Sequence, residues 1–272
     1  MQPKLLLPLL MLASVLLALP ASATAATRTQ TVTLVNSQDR ATLQPKCPGR
    51  QRATGGGFEA LPYSGSNYIW IYESRKVGQR SWRVSALKSS SGPYPPLSVT
   101  AFVYCAKHAP RTKGISKTIA VTSDLQPAVA SCGAAGRAQA GGFFALVTPN
   151  FNDVAVLLDS FRLGRKSWQS RANLGPGSPT LTSYVYCAKA RAPKARTGSV
   201  AATGEQQQTT AISIGCKPGT RPRAGGFKQP DATATNLFQL PMESIRVGKQ
   251  WQTTAIHSGP GTTTLTSIAY CA

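Results

Sequence analysis

Acidic residues are scarce in this chain. Nine Asp and Glu stand against thirty Lys and Arg over 272 residues, and there are two histidines. Carboxylates that could work as a catalytic pair are correspondingly few. His108 lies in a connecting stretch, and His257 has no counterpart elsewhere in the chain, so no Ser-His-Asp set can be assembled. A zinc centre lacks support, because no C-x-x-C occurs and histidine ligands are short in supply. Calcium loops of the D-x-D-x-D type are absent. A helical hydrophobic period is missing beyond the N-terminus, and no later segment is apolar enough to span a bilayer. These absences set the expectation of a protein that is not an enzyme and holds no cofactor and no metal.

The N-terminus supplies a compartment. Lys4 precedes an apolar run from Leu5 to Leu19, followed by Pro20-Ala21-Ser22-Ala23. That order reads as a secretory signal peptide over residues 1–25, and its apolar run is too short for a comfortable membrane span. The mature chain is expected to be soluble and secreted or held at the cell surface. Six cysteines in an exported chain read as a disulfide framework.

The rest is a threefold repeat with a period of about 84 residues. CPGRQRATGGGF (47–58), CGAAGRAQAGGF (132–143) and CKPGTRPRAGGF (216–227) open the units, and each unit closes on Tyr-Cys-Ala. The first and last cysteine of each unit are expected to pair: Cys47–Cys105, Cys132–Cys187 and Cys216–Cys271. Residues 26–108 form the first repeat, 109–190 a linker and the second, and 191–272 a linker and the third. Short runs rich in Val, Thr, Tyr and Ile, bounded by Gly, Pro, Ser and Asn, read as strands. The fold class is all-β, with about five strands per unit. Tandem small sandwiches are the favoured arrangement, because each unit has its own cysteine pair; the alternative is one pseudo-threefold β-prism. Gly-Gly inside a strand pattern marks a bulge or a close backbone approach. A phosphate loop would need a helix after the glycines, and here a strand follows.

Several residues recur at equivalent positions. Arg52, Arg137 and Arg221 share one, and Glu73, Asp159 and Glu243 another. An Arg–carboxylate bridge tying two strands of each unit is the preferred reading; three equivalent polar sites are the alternative. Lys76, Arg162 and Arg246 recur near a turn glycine and are possible anion contacts. Trp82, Trp168 and Trp251 read as packing anchors. Strand alternation sets Tyr68, Trp70 and Tyr72 on one face. The residues aligned with them are apolar in the other repeats, so this face is expected to be core. Ser85 and Lys88 match an S-x-x-K pattern, but on a strand rather than at the start of a helix.

The formal net charge is +21, with most of the excess in the first two repeats. Such an exported protein attracts polyanions at long range. An anionic polysaccharide or cell-wall polymer is the expected partner, with nucleic acid bound only non-specifically. The connectors around Lys107–Gly114 and Lys189–Arg196 are basic and contain proline, as exposed semi-flexible linkers do. A structural envelope or matrix protein is a second reading, and a hydrolase with an unrecognised site a third. The oligomeric state is left open by the sequence.

The pattern C-x(8)-G-G-F, S-x-x-x-G, Trp and Y-C-A resembles uncharacterised exported repeat proteins of high-GC Gram-positive bacteria, and the likeness carries no activity over. A partial likeness to the vitelline membrane outer layer protein rests on Cys47-Pro48-Gly49, Gly57-Phe58, Cys216, Gly219 and Gly226-Phe227. It implies a pseudo-threefold β-prism, although the present units are longer and their tryptophan and serine-glycine motifs depart from that family.

Overall fold

The computed structural model describes residues 26–36, 39–60, 67–89, 95–148, 151–232 and 238–272. The expected signal peptide lies outside them. The first repeat forms β1 (Thr27–Leu34), β2 (Arg40–Leu43), β3 (Arg52–Glu59), β4 (Tyr68–Val77), β5 (Ser81–Ser89) and β6 (Leu97–Ala106). The second forms β7 (Lys113–Ala120), β8 (Gln126–Ser131), β9 (Arg137–Ala145), β10 (Ala155–Leu163), β11 (Ser167–Leu174) and β12 (Thr180–Ala188). The third forms β13 (Lys194–Thr203), β14 (Gln208–Ile212), β15 (Pro222–Lys228), β16 (Phe238–Val247), β17 (Gln250–Ser258) and β18 (Thr262–Cys271). Each repeat thus has six strands rather than five. In the second and third repeats the first strand begins inside a stretch that read as a linker. Lys113–Ala120 and Lys194–Thr203 lie along the closing strands β12 and β18. Their charged residues suit strands at a sheet edge, where one side faces water.

Three six-stranded sheets result, in the orders β1-β6-β3-β16-β17-β14, β2-β5-β4-β9-β12-β7 and β13-β18-β15-β10-β11-β8. Every sheet joins three strands of one repeat to three of another. All-β class and three disulfide-closed units are as the sequence implies, but separate tandem sandwiches are not what forms. The arrangement is the shared prism. A cystine closes the ends of one repeat and is silent about which neighbour its strands join.

The joints between repeats are short. Glu73 and Ser74 of β4 face Phe144 and Phe143 of β9. Ser244 faces Phe58, and Ser160 faces Phe227, at the other two. The three phenylalanines meet on the pseudo-threefold axis. Their ring centroids are 6.2, 6.5 and 6.4 Å apart, each pair edge to face, the arrangement aromatic quadrupoles prefer.

Each glycine of Gly-Gly-Phe has a separate task. A Cβ at Gly56, Gly141 or Gly225 would lie within the indole of Trp82, Trp168 or Trp251. A Cβ at Gly57, Gly142 or Gly226 would strike the carbonyl of Ser244, Ser74 or Ser160 across the joint. The ladder also shifts register just before the motif, between Ala53 and Gly55 in the first repeat. The motif is therefore both a close approach and the sequel to a bulge. The tryptophans are buried and donate Nε1–H to Ser74, Ser160 and Ser244 at 2.8–2.9 Å. They are packing anchors, as the repeat suggested.

The closing tyrosines lock repeats to one another. Beyond the short joint, the Lys76 N–H donates to the Tyr186 hydroxyl at 2.7 Å. Arg162 N–H does the same to Tyr270 at 2.7 Å, and Arg246 N–H to Tyr104 at 2.8 Å. A buried N–H left without a ladder partner thus finds one. The three tyrosines are deeply buried, and burial raises each phenol above its usual range.

The face expected to be core, with Tyr68, Trp70 and Tyr72, is packed in apolar clusters, and the face of Ile69 and Ile71 is buried as well. Ile69 and Ile71 lie in the main core, half-buried Tyr68 packs against it too, and Trp70 packs elsewhere. Tyr72 joins a second apolar cluster with Val154, Val156 and Leu158. Both faces of this strand carry apolar residues, so alternation alone could not choose between them.

Candidate functional site

The strand directions give the molecule two unlike ends. β4, β10 and β16 run toward one end and turn there through Gly78, Gly164 and Gly248, all at positive φ. β6, β12 and β18 end on Cys105, Cys187 and Cys271 at the same end. The bonds Cys47–Cys105, Cys132–Cys187 and Cys216–Cys271 form as the repeats implied, with Cα separations of 5.6, 5.6 and 5.7 Å. The opening cysteines dock on the hairpin turns: Cys47, Cys132 and Cys216 donate N–H to the carbonyls of Arg80, Lys166 and Lys249, each at 2.8 Å.

This cystine end carries no Asp or Glu. The segments 46–52, 76–81, 106–113, 132–137, 162–167, 188–194, 215–223 and 246–250 build it, and each contains Lys or Arg and no Asp or Glu. Five acids sit in the loops of the opposite end, Asp39, Asp124, Asp153, Glu205 and Asp231, while Glu59 ends β3 level with Glu243. The other three, Glu73, Asp159 and Glu243, are buried in mid-strand. The excess charge is thus segregated along the axis.

The recurring arginines and acids do not pair with each other. Glu73 forms an ion pair with Arg75 at 2.5 Å and accepts from Ser85. Asp159 forms one with Arg171 at 2.6 Å and accepts from Gln229 N–H at 2.6 Å. Glu243 accepts from Thr254 and Gln252 at 2.8 and 2.7 Å. Burial raises the Asp159 carboxyl to about 6, against the lowering effect of Arg171. Arg52 instead donates to the Ala109 carbonyl at 2.8 Å, while Arg137 and Arg221 are exposed. The acids lie mid-strand and the arginines at the strand start near the cystine, so the two positions are too far apart along the sheet to meet. The strand register, not the sequence spacing, selects the partners.

The second basic position is held in a common way. The Arg246 guanidinium lies 4.3 Å from the Tyr104 ring centroid, Arg162 lies 4.7 Å from that of Tyr270, and Lys76 Nζ lies 6.0 Å from that of Tyr186. Lys76 is buried and donates to Thr112 Oγ1 at 2.9 Å, so it is not presented to an external anion. Burial, with a smaller effect from Arg52, lowers its amine from 10.5 to about 8. The native state therefore favours the neutral amine. Its stability is expected to rise between pH 8 and 10.5 and to carry the full penalty below pH 8, about 3 kcal/mol at 1.36 kcal/mol per unit. Lys76→Met should raise stability at pH 7 and lose that advantage near pH 10.5, as followed by urea unfolding at both pH values. Equal loss at both would refute the burial argument.

The remaining motif does not assemble. Ser85 bonds Glu73, while Lys88 Nζ donates to the Val35 carbonyl at 2.6 Å, on the other face of the strand. His257 is buried with Nδ1 3.0 Å from the Gly204 carbonyl. Among the described residues no cluster of three His, Cys, Asp or Glu could hold a metal ion, and no helix is long and apolar enough to cross a membrane.

Repeat comparison passed over one group of residues. Thr54, Gln139 and Arg223 are equivalent by the register of the Gly-Gly-Phe strands, yet differ in kind. Arg223 lines a cleft of about 250 Å³ with Lys107, His108, Arg221 and Arg246. No repeated residue type marked this place. Compared with family models and with curated proteins, the chain matches none of them.

Proposed function

We propose that the protein is a non-catalytic exported binder that holds anionic polymers or glycans at the cell surface or outside the cell. One observation carries the reading: the cations gather at an end that has no Asp or Glu side chain. Like charges held close repel one another, so such an end is costly unless it meets a polyanion. Three hairpin tips around one axis offer several contacts to a repeating polymer, and weak contacts on one body add through effective concentration. The three disulfides are compatible with a life outside the cell. The interlocked sheets and cystines also suit a structural envelope protein, the second reading.

Sedimentation of the oxidised protein with cell walls, acidic polysaccharide and DNA, over a salt series, tests this. Arg165, Lys166 and Lys249 are exposed at the tips. Changing all three to Glu should weaken binding at least about tenfold and flatten the dependence on salt. Changing Arg40, Lys117 and Lys228 to Glu alters net charge equally, away from the tips, and should weaken it much less. Equal losses would mean that net charge alone acts. No binding to any polyanion would favour the structural reading.

A further inference from the structure

The three corners at the cystine end are equivalent by sequence but not by occupancy. At the first, the connector after β6 lies over the cations. Ala109 offers its carbonyl to Arg52, Thr112 its hydroxyl to Lys76 and its carbonyl to Gln79, at 2.8, 2.9 and 2.7 Å. At the second, Gln139 donates to the carbonyls of Ala190 and Arg191 in the connector after β12, at 3.1 and 3.4 Å. In both, connector oxygens meet a polar side chain of the corner, although Arg162 at the second keeps its Nη1 buried without a hydrogen-bond partner among the described residues.

The third corner is the cleft between the first and third repeats. Arg246 is fixed there by the Tyr104 ring, by Thr27 Oγ1 at 2.8 Å and by the Pro222 carbonyl at 3.4 Å. Arg223 is half-buried beside Arg221, and among the described residues neither side chain has a hydrogen bond or an ion pair. Arg221 is tied only through its backbone, to Ala272. Burial, with Arg221 adding to it, lowers the Arg223 guanidinium below its usual range. Lys107 and His108 form the facing wall. Guanidinium groups left without acceptors in a concave site are the condition under which an oxyanion binds.

We propose that this cleft binds a single tetrahedral oxyanion, a phosphoryl or sulfate group, carried on the anionic polymer. Arg221, Arg223, Arg246 and Lys107 all line the cleft, so a group with oxygens in three or four directions meets more of them than a planar carboxylate does. The cleft thereby supplies a shaped contact within the broadly cationic end. This rests on the polymer-binding reading, whose failure is read separately.

The test uses the full oxidised chain with inorganic phosphate, sulfate and acetate at matched ionic strength. Thermal unfolding of the unaltered protein should shift upward with phosphate or sulfate beyond acetate. Calorimetric titration should give one site. Arg221→Gln with Arg223→Gln should weaken that site at least about tenfold, while Lys117→Gln on the edge strand β7 leaves it unchanged. Poly(glycerol phosphate) and dextran sulfate then separate the two sources of the group. Equal stabilisation by all three anions, or an unchanged site in the double variant, overturns the proposal. If the polymer binds but the double variant binds it as before, the polymer reading stands and the cleft falls. If the small anion binds and no polymer does, the cleft stands and the polymer reading falls.

Discussion

Alanine in place of Phe58, Phe143 or Phe227 is expected to cost about 3–5 kcal/mol, the usual penalty for emptying a buried aromatic site. Each ring is at most 2% exposed and touches the other two edge to face. The surroundings cannot close easily over the gap, because six glycines pinned by indoles and serine carbonyls hold the adjoining strands in place. The loss should be similar at all three positions, since they are equivalent about the axis. It should also lower the single unfolding transition of the whole molecule rather than split off one repeat. Urea unfolding followed by tryptophan fluorescence and by circular dichroism measures both points, as one tryptophan of each repeat sits beside the axis. Two resolved transitions in Phe227→Ala would contradict the shared core. Domains of this kind are stable by only about 5–15 kcal/mol, so the loss is a large fraction of the total.

Reduction of the three cystines is expected to unfold the protein without denaturant. The bonded residues are 58, 55 and 55 apart in sequence. Closing loops of that length restricts the unfolded chain by about 4 kcal/mol each on the loop-entropy model. Together that matches or exceeds the whole stability of an ordinary domain. Replacing Cys216 and Cys271 by alanine should shift the unfolding free energy by about 4 kcal/mol. The shift should be felt in all three sheets, because the third repeat contributes to two of them and joins both others. The check is hydrogen exchange of strands β4 and β9, which contain no residue of that repeat. Protection there should fall with the rest. A reduced chain that kept a cooperative transition within about 2 kcal/mol of the oxidised one would contradict the prediction.

Much of this molecule was written in local pattern. The pairing of Cys47 with Cys105, and of its two counterparts, followed from their place at the ends of each repeat. The all-β class followed from short β-branched runs between turn residues. The tryptophans declared themselves as anchors by recurring with serine and glycine at fixed offsets, and each does bond the serine of its own repeat. The scarcity of acids was plain from composition.

What lay beyond the sequence were relations between segments distant along the chain. Arg52 and Glu73 recur together, yet strand register gives Glu73 to Arg75 and Ser85. Ile69 and Trp70 both suit a buried strand, and only the packing of the sheets shows that the first joins the main core and the second a separate cluster. The connectors read as linkers until an edge was there for them to extend. Arg223 differs in kind from its counterparts Thr54 and Gln139, so repetition did not mark it, and its cleft with Lys107 and His108 exists only because the third repeat closes onto the first. The sequence by itself determined what each repeat is made of, because strand propensity, turn chemistry and cystine placement act over short distances. The tertiary structure alone decided how the repeats exchange strands and where the cations gather, because burying the three phenylalanines together requires all three repeats at once.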